Sequence, residues 1–599
     1  MRIRDHNNGF SAFAISGTRV VLIALDCDKS KLPGLMGFAF KRSVAGKPAH
    51  DLEGIKVFKS LVPNPKRGDA FPTADHPIQS FLWSDYTADP GTKYEFTIEA
   101  RYGKPGKLET RATLRLKIET EKESGDGHGI WFNRGAIASQ AFSERFGNKS
   151  LAPEEINDIT NKETAWLSRG LVEACLAFIN ATPKGEALRL CAYEFTYEPV
   201  IKALKSALDR GVDVRIIYHD TKANRDAIAA VGIPEKKGGR TVLFKRTRPK
   251  IPHNKFIVRL TGGKPRLVWT GSTNFTPSGF LGQTNVGHVV ADPTVAETYL
   301  AYWNELSANP AAGEARTNAI ALTPNPPNVV AAKPVTRVFS PRTSDDMLDW
   351  YAQRITDAST SVMFTGAFGI DPKILKGLAQ PNPAMRFILL EKPPTAEVRD
   401  AVAKNRGDIL LSFGAVLGEM PGKDEKGKPT KKMVPIPHFK LEEWFLHEDL
   451  ERKTGEGFVF FIHTKFLLVD PLSDDPLVCT GSANFSHGSL VDNDENMLLI
   501  RGDTRVADIY LTEFDRIFRH FYFRDIANKS KDDKRAPAAK FLEEDDSWTK
   551  PYFTAGNVKN RRREMFAADP AKAWVAKARG DGDAFAGEGQ RRGGRRRTG

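Results

Sequence analysis

A short motif occurs twice in the chain at a fixed separation, and this repeat limits the fold more than any other feature of the sequence. The stretch HNKFIVRL begins at His253, and HTKFLLVD begins at His463, which lies 210 residues later. GSTN begins at Gly271 and GSAN begins at Gly481, again 210 residues apart. Matched spacing at two motifs indicates an internal repeat, so we predict two copies of one folding unit.

The segments around each copy alternate between helical and strand patterns. The first copy reads helix 164–181, strand 187–195, helix 198–211 and strand 212–220, and the second reads helix 346–358, strand 361–368 and strand 385–392. Helices that alternate with apolar strands are typical of the α/β class. We therefore predict two pseudo-symmetric α/β lobes, each a mixed sheet flanked by helices.

The first 122 residues have a different pattern, with short alternating runs separated by turn residues. In DPGTKYEFTIEA, residues 89–100, Tyr94 and the alternate residues after it share one face of a strand. This segment resembles the strand that carries the corner tyrosine in fibronectin type III and immunoglobulin-like domains. We predict an all-β sandwich of that kind before the lobes.

These patterns also predict the boundaries between the parts of the chain. The predicted parts are a sandwich at 1–122, a linker at 123–150, a first lobe at 151–307, a linker at 308–334, a second lobe at 335–530 with a surface loop at 421–435, a C-terminal extension at 531–570 and a disordered Gly/Arg-rich tail at 571–599. Within the extension, residues 549–566 carry aromatic side chains, so we expect them to pack against the rest of the protein.

The charge balance favours an anionic partner. The formal net charge is +14 and the pI is about 9.3, which favours nucleic acid or an acidic membrane surface. Arginines are concentrated in NRRRE, residues 560–564, and in the tail. The four cysteines are scattered without a metal-ligand or disulfide spacing. No secretion signal or apolar run long enough to span a membrane is visible, so we expect a cytoplasmic protein.

The repeated motif has the residues needed to bind and cleave a phosphate ester. On a strand, residues two apart face the same way, so His253 and Lys255 point together, as do His463 and Lys465. Two imidazoles can divide the labour, one attacking phosphorus and the other protonating the leaving oxygen. The lysines, with Ser272, Asn274, Ser482 and Asn484 at strand ends, can stabilise the phosphate oxygens.

HxK(x)4D followed by GSxN, present twice, resembles the signature of the phospholipase D superfamily. The resemblance covers residues 150–530 and implies a metal-independent phosphodiesterase that forms a covalent phosphohistidine at the interface of two lobes, without a cofactor. It implies that His253 is the nucleophile and that His463 is the general acid and later the base. The implied site residues are His253, Lys255, Asn274, His463, Lys465, Asn484 and Glu495 for catalysis, Ser272, Ser482 and both lysines for phosphate, and Asp470 and Asn285 in support; no metal ligand is implied.

The two copies differ at two positions. Leu260 stands in the first copy where the second has Asp470, and Asn285 stands opposite Glu495. By resemblance to the superfamily, Glu495 orients and raises the pKa of His463, whereas His253 has only the amide of Asn285. This asymmetry is similar to that of the tyrosyl-DNA phosphodiesterase branch.

Three functions remain open at this stage. The first is a nuclease that contacts nucleic-acid backbone phosphates. The second is a phospholipase D that hydrolyses or transphosphatidylates phospholipids, with aromatic side chains in FYFRD after 520 and in PYF at 551–553 at its entrance. The third is a catalytically weak binding or scaffold protein. A further His-x-Lys at His438–Lys440 lacks the following apolar strand and GSxN, and the oligomeric state is left open.

Overall fold

The computed structural model describes most of the chain. The described residues are 1–66, 69–135, 145–146, 151–405, 407–414, 419–423, 429–435, 461–529 and 541–567. The predicted tail at 571–599 and the His438–Lys440 motif lie outside these residues.

The N-terminal region contains two four-stranded antiparallel sheets, with strand orders β1-β2-β3-β8 and β10-β9-β4-β5, and a two-stranded sheet of β6 and β7. The strands are β1 (Arg2–Asn7), β2 (Phe10–Ser16), β3 (Val21–Cys27), β4 (Leu35–Val44), β5 (His50–Asp51), β6 (Glu53–Gly54), β7 (Phe71–Pro72), β8 (Leu82–Asp85), β9 (Lys93–Lys104) and β10 (Lys107–Glu119). Both sheets contribute to one apolar cluster. The predicted alternation on β9 is confirmed, since Tyr94, Phe96 and Ile98 are all buried. The hydroxyl of Tyr94 accepts a hydrogen bond from the backbone N–H of Asp89 at 2.8 Å. Identity as a fibronectin type III or immunoglobulin-like domain stays a prediction.

The rest of the chain builds two larger mixed sheets with the same sequence of pairings. The first has the order β11-β12-β20-β19-β18-β13-β14-β17, and the second has the order β21-β29-β28-β27-β22-β23-β24. The strands of the first lobe are β11 (Ser124–Gly125), β12 (His128–Phe132), β13 (Ala187–Ala192), β14 (Asp213–His219), β15 (Lys236–Lys237), β16 (Arg240–Thr241), β17 (Leu243–Arg246), β18 (Lys255–Thr261), β19 (Lys264–Gly271) and β20 (Val286–Val290). The strands of the second are β21 (Thr336–Ser340), β22 (Ser361–Gly366), β23 (Met385–Leu390), β24 (Ile409–Phe413), β25 (Glu419–Lys423), β26 (Pro429–Pro435), β27 (Phe466–Val469), β28 (Leu477–Gly481) and β29 (Glu495–Arg501).

The pairing pattern places both motif strands at the same point of their sheets. In each lobe one strand pairs parallel to the next strand along the chain and antiparallel to the motif strand, as β13 does with β14 and β18, and as β22 does with β23 and β27. The GSxN strands, β19 and β28, lie on the other side of the motif strands.

Helices cover these sheets. They are α1 (Pro153–Asn157), α2 (Lys162–Ser168), α3 (Leu171–Asn180), α4 (Glu198–Asp209), α5 (Lys222–Val231), α6 (Pro293–Ser307), α7 (Ala312–Leu322), α8 (Asp346–Thr356), α9 (Pro372–Ala379), α10 (Ala396–Lys404), α11 (His487–Val491), α12 (Thr504–Lys529) and α13 (Val558–Ala567). No helix among the described residues is long and apolar enough to cross a bilayer.

Three segments expected to be linker or loop contain regular structure. The linker at 123–150 contributes β12 to the sheet of the first lobe, because the apolar run HGIWF pairs with β20. The linker at 308–334 contains α7, whose alanines supply helix propensity without apolar periodicity. The loop at 421–435 contains parts of the paired strands β25 and β26.

The N-terminal sheets are fixed to the lobes by α12 and by the C-terminal extension. Arg2 pairs with Asp508 on α12 at 2.8 Å, and the Ser84 hydroxyl donates to Asp515 on the same helix at 2.8 Å. The indole N–H of Trp548 donates to the carbonyl of Leu35 at 2.8 Å. The extension therefore packs against the body of the protein, as its aromatic residues predicted.

Candidate active site

Each repeated motif places a histidine and a lysine at the start of a buried strand. His253 and Lys255 are 6% and 1% exposed, and His463 and Lys465 are 3% and 0% exposed. In both copies the lysine Nζ donates to the carbonyl of the histidine two residues earlier, at 2.5 Å for Lys255 and 2.7 Å for Lys465. The side chains of each pair therefore lie on the same side of the strand, as the spacing predicted.

Backbone hydrogen bonds join the two lobes directly beside these motifs. The N–H of Thr284 donates to the carbonyl of Phe461 at 2.6 Å, and the N–H of Asp494 donates to the carbonyl of Ile251 at 3.3 Å. The N–H of His463 also donates to the carbonyl of Thr284, at 3.2 Å. The first two bonds join residues that correspond at the repeat spacing, so each lobe contacts the other through the residues just before its motif histidine.

A buried ion pair strengthens this junction. The guanidinium of Arg246 on β17 binds both carboxylate oxygens of Asp494, at 2.8 and 3.0 Å, and both side chains are fully buried. Asp494 directly precedes Glu495, so the pair fixes the start of β29 against the first lobe.

Each imidazole is held by a side chain from the opposite lobe. The Nδ1 of His253 lies 2.9 Å from both carboxylate oxygens of Glu495. The Nδ1 of His463 lies 2.9 Å from the amide oxygen of Asn285. The sequence-based pairing of Glu495 with His463 and of Asn285 with His253 was therefore wrong. The partners are exchanged because of the way the lobes meet. Thr284 and Asp494, which directly precede Asn285 and Glu495, bond to residues just before the motif histidine of the other lobe.

The serines of the two GSxN motifs hold these orienting groups. The Ser272 hydroxyl donates to the amide oxygen of Asn285 at 2.8 Å, and the Ser482 hydroxyl donates to Glu495 at 2.6 Å. Both serines are 0% exposed. The expectation that they bind phosphate directly does not match this placement, since their hydroxyl protons already have buried acceptors.

Burial sets the electrostatics of the site. It lowers the pKa of His253 from 6.5 to about 4, with Glu495 opposing the shift and Lys255 adding to it. Burial, followed by the two lysines, lowers the pKa of His463 well below its ordinary value, so the expected increase was wrong. Burial also lowers the pKa of Lys255 to about 8 and that of Lys465 well below its ordinary range. A bound anion would counteract these shifts by stabilising the protonated forms.

The asparagines of the GSxN motifs have amide oxygens available to a ligand. Among the described residues, Oδ1 of Asn274 and Oδ1 of Asn484 are buried without a hydrogen-bond partner. The Nδ2 of Asn274 donates to Glu194 at 2.5 Å. Glu194 fixes the orientation of the Asn274 amide, whose second N–H can meet a phosphate oxygen, whereas a half-turn of the Asn484 amide would exchange its oxygen with its donor nitrogen.

Three residues of the site were missed by the sequence reasoning. Tyr193 packs edge-on against His253, with ring centroids 4.9 Å apart, and its ring centroid lies 5.3 Å from Nζ of Lys255. His219 stacks on Tyr193 at 5.3 Å, and Glu194 is the acceptor for Asn274. The available signal was that Tyr193 and Glu194 directly follow β13 and that His219 ends β14, and these two parallel strands end at one edge of the sheet.

Asp470, expected to support the site, instead caps a strand of its own lobe. Its carboxylate accepts hydrogen bonds from backbone and hydroxyl groups of Ser359 and Thr360 and from the backbone N–H of Ser361, at 2.7 to 3.0 Å. Leu260, at the corresponding position of the first lobe, is buried in the apolar core. The difference between the copies at this position therefore concerns packing rather than the imidazoles.

The described residues contain one cluster of acidic side chains with metal-ligand spacing, Asp345, Asp346 and Asp349. Lys373 already forms ion pairs with Asp345 at 2.8 Å and with Asp349 at 2.7 Å. Among the described residues, none of these carboxylates forms a hydrogen bond or an ion pair with His253 or His463.

One protein-family model matches two segments of the chain. Residues 176–307 and 427–518 match the family described as cardiolipin synthase, PLD-like domain. No curated protein sequence matched the chain.

Solved structures give three examples of similar chains. Nuc from Salmonella typhimurium, a phospholipase D family member, is 30% identical over 22% of this chain and 83% of its own, with a TM-score of 0.19. Phosphatidylserine synthase from Haemophilus influenzae Rd KW20 is 11% identical over 63% of this chain and 94% of its own, with a TM-score of 0.39. Yeast tyrosyl-DNA phosphodiesterase is 11% identical over 63% of this chain and 91% of its own, with a TM-score of 0.31. The family match, the identity to Nuc and the duplicated HxK and GSxN motifs together show that the chain belongs to the phospholipase D superfamily.

Proposed function

We propose that the protein is a metal-independent phosphodiesterase that forms a covalent phosphohistidine on His253 and hydrolyses nucleic-acid phosphodiester bonds. The observation that carries this proposal is the exchange of orienting partners between the lobes. Because Nδ1 of His253 and Nδ1 of His463 are both occupied at 2.9 Å, Nε2 of each ring is the nitrogen left for the substrate.

In the first step, the lone pair on Nε2 of His253 attacks phosphorus and the bond from phosphorus to the leaving oxygen breaks. The leaving oxygen takes the proton from Nε2 of protonated His463 and departs as an alcohol. Glu495, which accepts the Nδ1 proton of His253, stabilises the positive charge that develops on the phosphorylated ring.

In the second step, neutral His463 takes a proton from water while the water oxygen attacks phosphorus. The bond from phosphorus to Nε2 of His253 breaks, its electron pair returns to the nitrogen, and a phosphomonoester is released. Lys255, Lys465 and the amides of Asn274 and Asn484 are the groups we assign to the phosphate oxygens in both steps.

Nucleic acid is the preferred substrate because of charge, although one sequence argument for it fails. The net charge of +14 favours a polyanion. The arginines of NRRRE do not supply a free basic surface, because Arg561 pairs with Asp408 and Arg563 pairs with Asp26.

A phospholipid is the second candidate, favoured by one exposed aromatic side chain. Phe368 is 54% exposed and lines a pocket of about 150 Å³ together with Asn484. Of the aromatic residues expected at an entrance, Phe521 and Tyr552 belong to apolar clusters, whereas Phe523 is 40% exposed. Phe368, which the sequence did not predict, is the apolar contact for an acyl chain or headgroup in the pocket that includes Asn484.

The test is an assay of purified protein with EDTA present, on single-stranded DNA, RNA and phosphatidylcholine vesicles. We expect cleavage of nucleic acid that EDTA does not inhibit and that His253→Ala abolishes. Hydrolysis of phosphatidylcholine without cleavage of nucleic acid would reverse the order of the two candidates. Absence of turnover on all three substrates would favour the weak binding or scaffold alternative.

A further inference from the structure

A dense group of positive side chains lies on the surface of the first lobe, immediately before the motif histidine. Between residues 235 and 250, Glu235 is the single acidic residue. Six exposed basic residues define what we call the basic strip: Lys236, Lys237, Arg240, Lys245, Arg248 and Lys250.

Most charges of the basic strip are not used within the protein. Lys237 pairs with Asp209 at 3.3 Å, but none of the other five has a carboxylate within 4.0 Å among the residues that the structure describes. By contrast, Lys202, Lys205 and Lys222 on α4 and α5 each pair with an acidic residue four positions before or after them. Unpaired like charges along one segment repel one another, and a bound anion would relieve this repulsion.

The basic strip is connected to the candidate active site by a short, anchored segment. Lys245 lies on β17, the edge strand of its sheet, and the next residue, Arg246, is held by Asp494. The carbonyl of Ile251 is held by the N–H of Asp494. At about 3.3 Å per residue, the Cα atom of Lys250 lies within about 10 Å of that of His253, and that of Lys245 within about 26 Å.

We propose that the basic strip binds the phosphate backbone of single-stranded nucleic acid and directs it toward His253. This inference rests on the proposed function and specifies the surface that selects the substrate. Its contacts are with phosphates, so the selection is for a polyanion rather than for a base sequence.

The composition of the strip favours nucleic acid over an anionic membrane. A membrane-binding surface combines basic residues with exposed apolar side chains that enter the lipid. The exposed large apolar residues of the described part of the chain are Met1, Ile55, Leu61, Val329, Phe368 and Phe523. None of them lies within the basic strip, so its attraction is electrostatic alone.

The test compares two triple variants of the full chain. Lys245→Ala with Arg248→Ala and Lys250→Ala removes three unpaired charges of the strip. Lys202→Ala with Lys205→Ala and Lys222→Ala removes three paired charges, two exposed and one half-buried, from the same lobe and is the matched control. For each protein, kcat/KM on single-stranded DNA is measured against salt concentration, and turnover of bis(p-nitrophenyl) phosphate is measured in parallel.

We expect the strip variant to lose about tenfold or more in kcat/KM on DNA at low salt. Its slope of log kcat/KM against log salt should be shallower by about 2, since three phosphate contacts contribute about 0.7 each on a single strand. Turnover of the small diester should be unchanged, and the control variant should match the wild type. Equal salt slopes for all three proteins would overturn the proposal.

A failure of the proposed function gives a different result. If the wild type hydrolyses the small diester but not nucleic acid, the nuclease assignment fails, and binding of a labelled oligonucleotide then tests the strip alone. A shallower salt slope for binding by the strip variant upholds the strip as a nucleic-acid surface. An unchanged slope overturns it. Binding to phosphatidylserine vesicles is measured in parallel, and a strip variant that loses this binding but still binds the oligonucleotide also overturns the proposal.

Discussion

The two halves of the candidate active site share a scaffold but differ in the group that holds each imidazole. In both halves a lysine binds the carbonyl of its histidine, and a buried serine hydroxyl binds the orienting side chain of its own lobe. The orienting group is a carboxylate for His253 and an amide for His463. A carboxylate stabilises a positive ring, and an amide does so much less.

In the proposed mechanism, this difference suits one imidazole to act as the nucleophile and the other to act as the proton donor. The ring that carries the phosphoryl group has to remain positive through an intermediate, and a carboxylate suits that ring. The ring that donates a proton has to give it up readily, and an amide partner suits that ring. The observed pairing of Glu495 with His253 and of Asn285 with His463 is the reverse of the expected one. It still supports His253 as the nucleophile and His463 as the general acid.

The walls beside the two rings differ as well. The two residues after β13 are Tyr193, which contacts His253, and Glu194, whereas the two after β22 are Ala367 and Phe368. Ala367 and Phe368 line the pocket that also includes Asn484. Under the proposed function, this difference between the lobes would make the two ester groups of a bound substrate non-equivalent.

The largest expected effect comes from removing one histidine at a time. His253→Ala should reduce turnover by about 10³-fold or more and abolish a trappable phosphoprotein, because the nucleophile is lost. His463→Asn should let the phosphoprotein accumulate from a substrate with a good leaving group, since the base for the second step is lost. The measurement is labelled protein after an acid-free quench, and equal loss of adduct in both variants would contradict the division of roles.

The second effect comes from exchanging the orienting groups. Glu495→Gln should lower kcat by about 10²- to 10⁴-fold, in line with the loss seen when a carboxylate that orients a catalytic histidine becomes an amide. Asn285→Asp, the matched change in the other half, should cost less than about tenfold and should raise the pKa of His463. Circular dichroism and thermal unfolding check that both variants fold. A greater loss in Asn285→Asp than in Glu495→Gln would reverse the comparison.

The pairing of these groups could not be read from the sequence. Alignment of the two copies shows that Asn285 and Glu495 are equivalent, but it does not show which imidazole each one reaches. That depends on the lobe junction, where residues such as Thr284 and Phe461 bond across more than a hundred residues of sequence. The histidine and lysine pairs were predictable because strand periodicity places them locally.

The position of Asp470 outside the site could have been predicted from the sequence. It lies five residues after Lys465, and β27 separates them in an extended conformation. Five extended residues span about 16 Å, so a carboxylate at that position lies at the far end of the strand from the imidazole. The basic strip was missed for another reason. A net charge counts paired and unpaired residues alike, so it does not show where the unpaired positive charges lie.

The third effect is a dependence of the pH profile on the leaving group. His253, with a pKa of about 4, is neutral above that value, so nucleophilic attack should be constant between pH 6 and 8. The lowered pKa of His463 makes its protonated form scarcer as the pH rises. For an alkyl leaving group, which needs that proton, kcat/KM should fall about tenfold per pH unit in this range.

A p-nitrophenyl ester is the control for this prediction, because p-nitrophenolate departs without a proton. Its kcat/KM should fall below about pH 4, where His253 becomes protonated, and any loss toward pH 8, where Lys255 has its pKa of about 8, should affect both substrates equally. The ratio of kcat/KM for the alkyl ester to that for the p-nitrophenyl ester should therefore fall as the pH rises from 6 to 8. Parallel profiles for the two substrates would show that His463 is not the general acid. In Asn285→Asp the falling limb for the alkyl substrate should move to higher pH.

The smallest expected effect concerns the position at which the copies diverge, Asp470 against Leu260. Asp470→Asn should lower the free energy of unfolding by about 1–3 kcal/mol, because it weakens the hydrogen bonds to Ser359 and Thr360. Turnover per folded molecule should be unchanged, since no hydrogen bond or ion pair in the described residues joins Asp470 to either histidine. Asp474→Asn, at an exposed neighbouring carboxylate, should change neither quantity. A loss of turnover in Asp470→Asn at unchanged stability would return this carboxylate to the site and make Leu260 a functional difference between the lobes.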